Sequence, residues 1–148
     1  MLRIFLDANV YFAGCASSSG ASALILQLAR RRRIQLVASR LVLKEAERNL
    51  RRKSSRNSVE SFHRFLKATE LVMVPSPPDN ILAKYETVIH PKDVPVLAAA
   101  IAAQVDCLVT LDRRHFLKDS VRAHALGTRI LTPGDFLQHL LHHSAQKT

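Results

Sequence analysis

Short apolar runs alternate with segments of helical period along the whole chain, and no hairpin signal joins any two of the runs. The runs are L-R-I-F-L at 2–6, Q-L-V-A at 35–38, E-L-V-M-V at 70–74, C-L-V-T-L at 107–111 and T-R-I-L at 128–131. Strands joined only through helices must be linked by crossovers, and crossovers make neighbouring strands parallel. The expected fold class is therefore α/β: a three-layer α/β/α sandwich around a central, mainly parallel sheet of about five strands. At 148 residues the chain reads as a single domain, 1–148, with a tail that frays from about 142 and no internal repeat.

Helical spacing predicts a helix over Ala23–Arg32, started by Ser22 and ended by the arginines at 30–33. Another is expected from Arg40 to Arg52, after which Lys53–Ser58 is polar and basic. A third carries Val59, Phe62, Phe65 and Leu66, and a fourth lies around Ile81–Val88. Val94–Gln104 is apolar almost all round and should be a buried helix. T-P-G-D at 132–135 marks a last helix start, with Thr132 as cap and Pro133 in the first position. Ala13–Ser22 is small and polar and reads as a flexible loop.

The acids stand out against this frame. In an open parallel sheet, function gathers at the carboxyl ends of the strands, where the strand order reverses. Asp7 follows the first strand and Asp112 the fourth. Asp93 starts the helix leading into the fourth strand, and Glu45 lies on the helix after the second. Two carboxylates roughly 4 Å apart repel by about 4 kcal/mol at an effective dielectric of about 20. For three or four acids a divalent cation is the natural counterweight, and Mg2+ or Mn2+ takes oxygen ligands. Such a site can activate water and neutralise charge at phosphorus.

Each acid also has a local alternative. Asp7 can bond its own turn, and Asp93 and Asp112 can each cap a following helical turn. Glu45 can be a solvated helix residue. Periodicity does not choose between Glu45 and Glu47, because they flank the Leu43–Ala46–Leu50 face on opposite sides.

Composition narrows the partners. Lys plus Arg number 22 against 12 Asp plus Glu, a net charge of +10, which favours a polyanion or an acidic protein. Arg113 and Arg114 adjoin the acids and suit phosphate contact. Only 5% of residues are aromatic, so base-stacking platforms are sparse, and Tyr11 is read as packing. Cys15 and Cys107 form no C-x-x-C pair, which suggests neither a zinc site nor a disulfide framework and fits a reducing cytoplasm. His139, His142 and His143 share a helix face without an acid or cysteine to complete a zinc site. No apolar run approaches about 18 residues, so no membrane span is expected, and Asp7 and Asn9 break up any signal peptide.

Five segments together carry a resemblance: L-D-A-N-V at 6–10, L-V-L-K-E-A-E-R-N-L at 41–50, P-K-D-V-P-V-L-A-A-A-I-A-A at 91–103, V-D-C-L-V-T-L-D-R-R-H-F at 105–116 and I-L-T-P-G-D-F-L at 130–137. In this order they resemble the PIN-domain ribonucleases, in the VapC-like branch whose members are often toxins of toxin–antitoxin pairs. The resemblance implies a PIN-like sandwich, acids that bind Mg2+ or Mn2+, and endonucleolytic cleavage of single-stranded RNA that leaves a 5′-phosphate. It matches Asp7, Glu45, Asp93 and Asp112 to the catalytic acids, with Asp7, Asp93 and Asp112 on the metal, and so prefers Glu45 to Glu47. Asn9, Ser39 and Thr110 match supporting polar positions. A homodimer and a small antitoxin protein are expected partners besides RNA. Where many relatives carry one more acid, this chain has Arg114 and His115, which leaves a second metal position without its ligand. A degenerate PIN domain that binds without cutting, or a housekeeping RNA-processing nuclease, remains the alternative. A haloacid-dehalogenase-like phosphatase fits less well, because it needs an acid where Asn9 stands.

Overall fold

The computed structural model describes residues 1–125 and 127–146. Five strands alternate with eight α-helices among the described residues. In chain order they are β1 (Arg3–Leu6), α1 (Ala8–Ala16), α2 (Ala21–Arg30), β2 (Gln35–Ser39), α3 (Arg40–Lys53), α4 (Arg56–Ala68) and β3 (Leu71–Val74). Then come α5 (Asp79–Ala83), a 3₁₀ turn (Pro91–Asp93), α6 (Val94–Ala102), β4 (Cys107–Val109), α7 (Asp119–His124), β5 (Arg129–Leu131) and α8 (Pro133–Gln146).

Every strand pair is parallel, in the order β3-β2-β1-β4-β5. The chain builds outward from β1 through β2 to β3, then crosses back and places β4 on the other side of β1. The strand order therefore reverses between β1 and β4, and that is where a parallel sheet opens a crevice at its carboxyl edge. Ile4, Phe5 and Leu6 are wholly buried, as are Leu36, Val37, Cys107, Leu108 and Val109. Strands covered on both faces need continuous apolar runs, and these have them. This is the three-layer α/β/α arrangement.

Pairing of Leu6 with Val109 sets the site's register. One residue on, the Asp7 N–H donates to the Val109 carbonyl at 2.9 Å and the Thr110 N–H to that of Leu131 at 3.0 Å. Asp7 and Thr110 thus leave neighbouring strands at the same level. Helix α6 buries Val94, Val96, Leu97, Ala98, Ala99 and Ala100. Each large apolar side chain buried there contributes about 1.5–3 kcal/mol, and together they hold Asp93 against the sheet edge.

Several sequence expectations give way. Ala13–Ser22 is not a loop: α1 runs from Ala8 through Ala16, and only Ser17–Gly20 separate it from α2. The small residues serve close helix packing. A Cβ on Gly14 would lie 2.5 Å from Leu26 Cδ1 and 3.0 Å from the Ser22 carbonyl oxygen. Ser22 does not cap α2, which starts after Gly20 at φ +98°, and Ser22 is buried in its first turn. The helix expected over 81–88 is only Asp79–Ala83; Leu82, Tyr85 and Val88 do pack on the core, but the backbone from Lys84 to Val88 closes i→i+3 turns instead of continuing the α-helix. Helix α7 has no counterpart in the sequence reading. Thr132 does cap α8, accepting from the Asp135 N–H at 3.1 Å. That helix runs past 142 to Gln146.

Candidate metal centre

The acids converge at the β1/β4 crevice because four different elements end or begin there. Asp7 is the N-cap of α1: its Oδ1 accepts from the Ala8 N–H at 2.8 Å. The local-turn alternative is thus realised, but it uses only one oxygen. Oδ2 accepts from Thr110 Oγ1 at 2.8 Å and Asn9 Nδ2 at 3.3 Å. Asn9 Oδ1 in turn accepts from the Leu111 N–H at 3.1 Å, and Thr110 Oγ1 from the Asp112 N–H at 3.0 Å. One short network therefore ties the end of β1 to the end of β4, with Asn9 and Thr110 bracing the first and last acids.

Asp7 is buried, 7% exposed. Burial is the main reason its pKa is pushed from 3.8 up to about 6. The Thr110 and Ala8 hydrogen bonds pull the other way, while the charges of Asp93 and Glu45 push further up. Asp93 sits where the 3₁₀ turn meets α6 and makes no side-chain cap bond. Its pKa is also raised, by burial first and by the Asp112 charge second, against the pull of His115, Lys92 and His90. Asp112 follows β4, and its Oδ1 accepts from the His115 N–H at 2.9 Å, the small turn foreseen as its alternative. Its other oxygen remains turned toward His115.

Glu45 lies half-buried on α3, with Lys92 Nζ 4.0 Å from its Oε1. Glu47 belongs elsewhere: it pairs with His63 Nε2 at 2.6 Å and Arg51 at 2.9 Å, and both hold its carboxyl below the usual range. His63 comes from α4, so packing of two helices separates glutamates that periodicity leaves equivalent. Ser39 ends β2 and caps α3, accepting from the Val42 N–H at 3.3 Å. It sets the start of Glu45's helix, and no hydrogen bond joins it to the acids. Arg113 and Arg114 lie beside Asp112, both exposed and both free of ion pairs among the described residues. Tyr11 is wholly buried, edge-on to Phe62 with centroids 6.1 Å apart, so it offers bases no platform.

Sequence reading undervalues His115, which figures there only as the place of a missing acid. Its Nδ1 lies 3.0 Å from Asp93 Oδ2 and 3.1 Å from Asp112 Oδ2. The His90 ring stacks on it, centroids 4.9 Å apart. The available signal is D-x-x-H: at a tight turn, three-residue spacing returns a side chain to the acid before it. Asp93, Asp112 and His115 offer ligand atoms all within 4.8 Å of one another. Asp93 Oδ2 is buried and has no hydrogen bond. A desolvated carboxylate oxygen left so is costly, and a cation would satisfy it. By donor type and by this unsatisfied oxygen, the residues fit a divalent metal.

The model of the PIN domain family matches residues 3–114. The chain belongs to the PIN domain family. PIN domains are generally nucleases, and the acids above lie within the matched region or, for Asp112, near its end. No curated protein matches the chain. Solved structures share the fold at low identity. PAE2754 from Pyrobaculum aerophilum is 18% identical with a TM-score of 0.63, over 95% of this chain and 90% of that one. VapBC2 from Rickettsia felis, bound to a DNA fragment from its promoter, is 15% identical with a TM-score of 0.60, over 88% and 98%. FitAcB from Neisseria gonorrhoeae is 16% identical with a TM-score of 0.57, over 88% and 97%. Among the described residues no single helix of this PIN domain is long and apolar enough to cross a membrane.

Proposed function

We propose that this PIN domain is a metal-dependent endoribonuclease that hydrolyses single-stranded RNA, working as the toxin of a toxin–antitoxin pair. The observation that carries the reading is the convergence of Asp7, Glu45, Asp93 and Asp112 from four elements, with Asp7 and Asp93 held at raised pKa and Asp93 Oδ2 unsatisfied. Crowding desolvated acids together costs free energy through mutual repulsion, and a divalent ion offsets that.

Asp7, Asp93 and Asp112 would hold Mg2+ or Mn2+, which when bound supplies charge neutralisation at phosphorus and a more acidic water. Asn9 and Thr110 fix the orientation of Asp7, so that its carboxylate need not reorganise as charge develops. Glu45 orients and deprotonates the attacking water for in-line displacement, leaving a 5′-phosphate. Arg113 and Arg114, at the rim, engage backbone phosphates. The net charge of +10 attracts a polyanion to the protein as a whole.

Likeness to VapBC2 and FitAcB supports a small antitoxin protein as partner, and the proposal includes a homodimer in solution. Two buried, unpaired cysteines, Cys15 and Cys107, support a reducing cytoplasmic setting. Cleavage of a generic single-stranded RNA tests the reading. It should require Mg2+ or Mn2+, stop with a chelator, and stop in Asp93→Asn protein that remains folded. Chelator-resistant cleavage, or full activity in that variant, refutes it. Co-expression with the neighbouring reading frame should relieve growth arrest if the toxin role is right.

A further inference from the structure

We infer that His115 is a nitrogen ligand in the metal shell, and that it makes this centre select Mn2+ over Mg2+. The inference rests on the metal-dependent reading above and deepens it.

The three donor atoms stand at the spacing of adjacent ligands on one ion. Nδ1 of His115 lies 3.0 Å from Asp93 Oδ2 and 3.1 Å from Asp112 Oδ2. Adjacent ligands of an octahedral ion, each about 2.1 Å from the metal, stand about 3 Å apart. A single imidazole nitrogen carries at most one hydrogen and cannot serve two carboxylates well. The outcome is visible at Asp93 Oδ2, which is buried and has no hydrogen bond despite the nearby nitrogen. A neutral imidazole therefore leaves this oxygen unsatisfied and a protonated one sets a single charge against two carboxylates, whereas an ion shared by all three meets every donor atom.

The ring is prepositioned from two sides. Its own backbone N–H donates to Asp112 Oδ1 at 2.9 Å, which fixes the turn. The His90 ring stacks on it at an interplanar angle of 20°, and His90 is itself anchored by accepting from the Lys92 N–H at 3.2 Å. With Nδ1 facing the acids, the ring's hydrogen belongs on Nε2 in the ligating form. Mg2+ demands near-ideal oxygen ligation and keeps its waters, whereas a nitrogen donor is better tolerated across the first-row divalent ions, of which Mn2+ is the most oxygen-seeking; relative to Mg2+, a histidine beside two carboxylates therefore favours Mn2+.

Pulsed electron paramagnetic resonance of Mn2+ bound to the full chain reads the ligand directly. The expected result is a nitrogen hyperfine coupling in the wild type that disappears in H115Q. Calorimetry should show Mn2+ affinity falling at least about tenfold in H115Q, since even residues that merely support metal ligands are worth 10–100-fold. In H115D, the ratio of Mn2+ to Mg2+ affinity should fall by a similar factor, because an oxygen donor replaces the nitrogen. Mn2+ bound without nitrogen coupling, at a site lost in D93N, overturns this inference and leaves the metal-dependent reading standing. Absence of Mn2+ and Mg2+ binding overturns both. A wild-type spectrum without nitrogen coupling overturns the inference even if a variant does not fold, and retention of the coupling in H90Q keeps the assignment to His115 rather than to the stacked ring.

Discussion

Asp7→Asn should abolish cleavage and, in the absence of metal, stabilise the fold. Asp7 titrates at about 6 in the folded chain against an ordinary 3.8. The fold therefore holds the protonated acid more tightly than the unfolded chain does. Stability from this group is present below 3.8 and is lost as pH rises toward and past 6. At about 1.4 kcal/mol per pH unit, the ionised side chain costs about 3 kcal/mol at pH 8. The amide removes that charge and retains an acceptor for the Ala8 N–H, now 2.8 Å from Oδ1. It cannot reproduce both the Thr110 and Asn9 bonds to Oδ2, which returns about 1 kcal/mol. The net gain is about 2 kcal/mol, or about 4–8 °C in Tm for a domain this size. Thermal unfolding in chelator at pH 8 and again near pH 4 is the assay. The variant should melt higher at pH 8 and lose its advantage near pH 4. Saturating Mn2+ should raise the wild type by about 2.7 kcal/mol at a hundred times Kd and the variant by less at the same concentration, because one oxygen ligand is gone while Asp93, Asp112 and His115 remain. A variant that melts lower than wild type at pH 8 in chelator would mean that Asp7 is a well-satisfied cap, not a charge held in reserve for a cation.

Glu45→Gln should cut the cleavage rate by about 10²-fold or more, as loss of a general base does, whereas Glu47→Gln should change it less than twofold, because Glu47 is committed to His63 and Arg51. Comparable reductions in both variants would show that α3 presents its glutamates differently. The double variant R113A/R114A should weaken RNA binding and flatten the slope of log affinity against log salt by about 1.4, at about 0.7 for each single-strand phosphate that an arginine neutralises; an unchanged slope removes both from the RNA path. Gly14→Ala should destabilise the fold by about 1 kcal/mol, since crowding against Leu26 and the Ser22 carbonyl outweighs the helix propensity gained, and denaturant titration giving a more stable variant would refute that packing.

How much is legible depends on where each residue finds its partners. The five strands can be read from local runs because strands buried on both faces must be apolar throughout. Val94–Gln104 comes close to the observed α6 for the same reason. Helix α1 escapes a sequence reading because its small residues look like a loop until α2 packs against Gly14. Periodicity overextends the helix at 81–88, since apolar spacing does not tell an α-helix from the i→i+3 turns that carry Lys84 to Val88 against the core. Asp7, Asp93 and Asp112 stand out by their places relative to strand and helix ends, and each also has the capping or turn-like surroundings that weigh against it. Spacing cannot separate Glu45 from Glu47; resemblance prefers one, and a salt bridge from α4 engages the other.

By itself the sequence determined the α/β class, the parallel order of construction and the positions of acids at strand ends, because hydrophobic period and chain connectivity are local properties written residue by residue. Only the tertiary structure decided which side chains share a pocket. Strand order put β4 beside β1 rather than beyond β3, and so brought Asp7 level with Thr110 and turned His115 toward Asp93. Those meetings are made by packing between segments far apart in the chain, and burial, which raises the pKa of Asp7 and leaves Asp93 Oδ2 unsatisfied, exists only once that packing is complete.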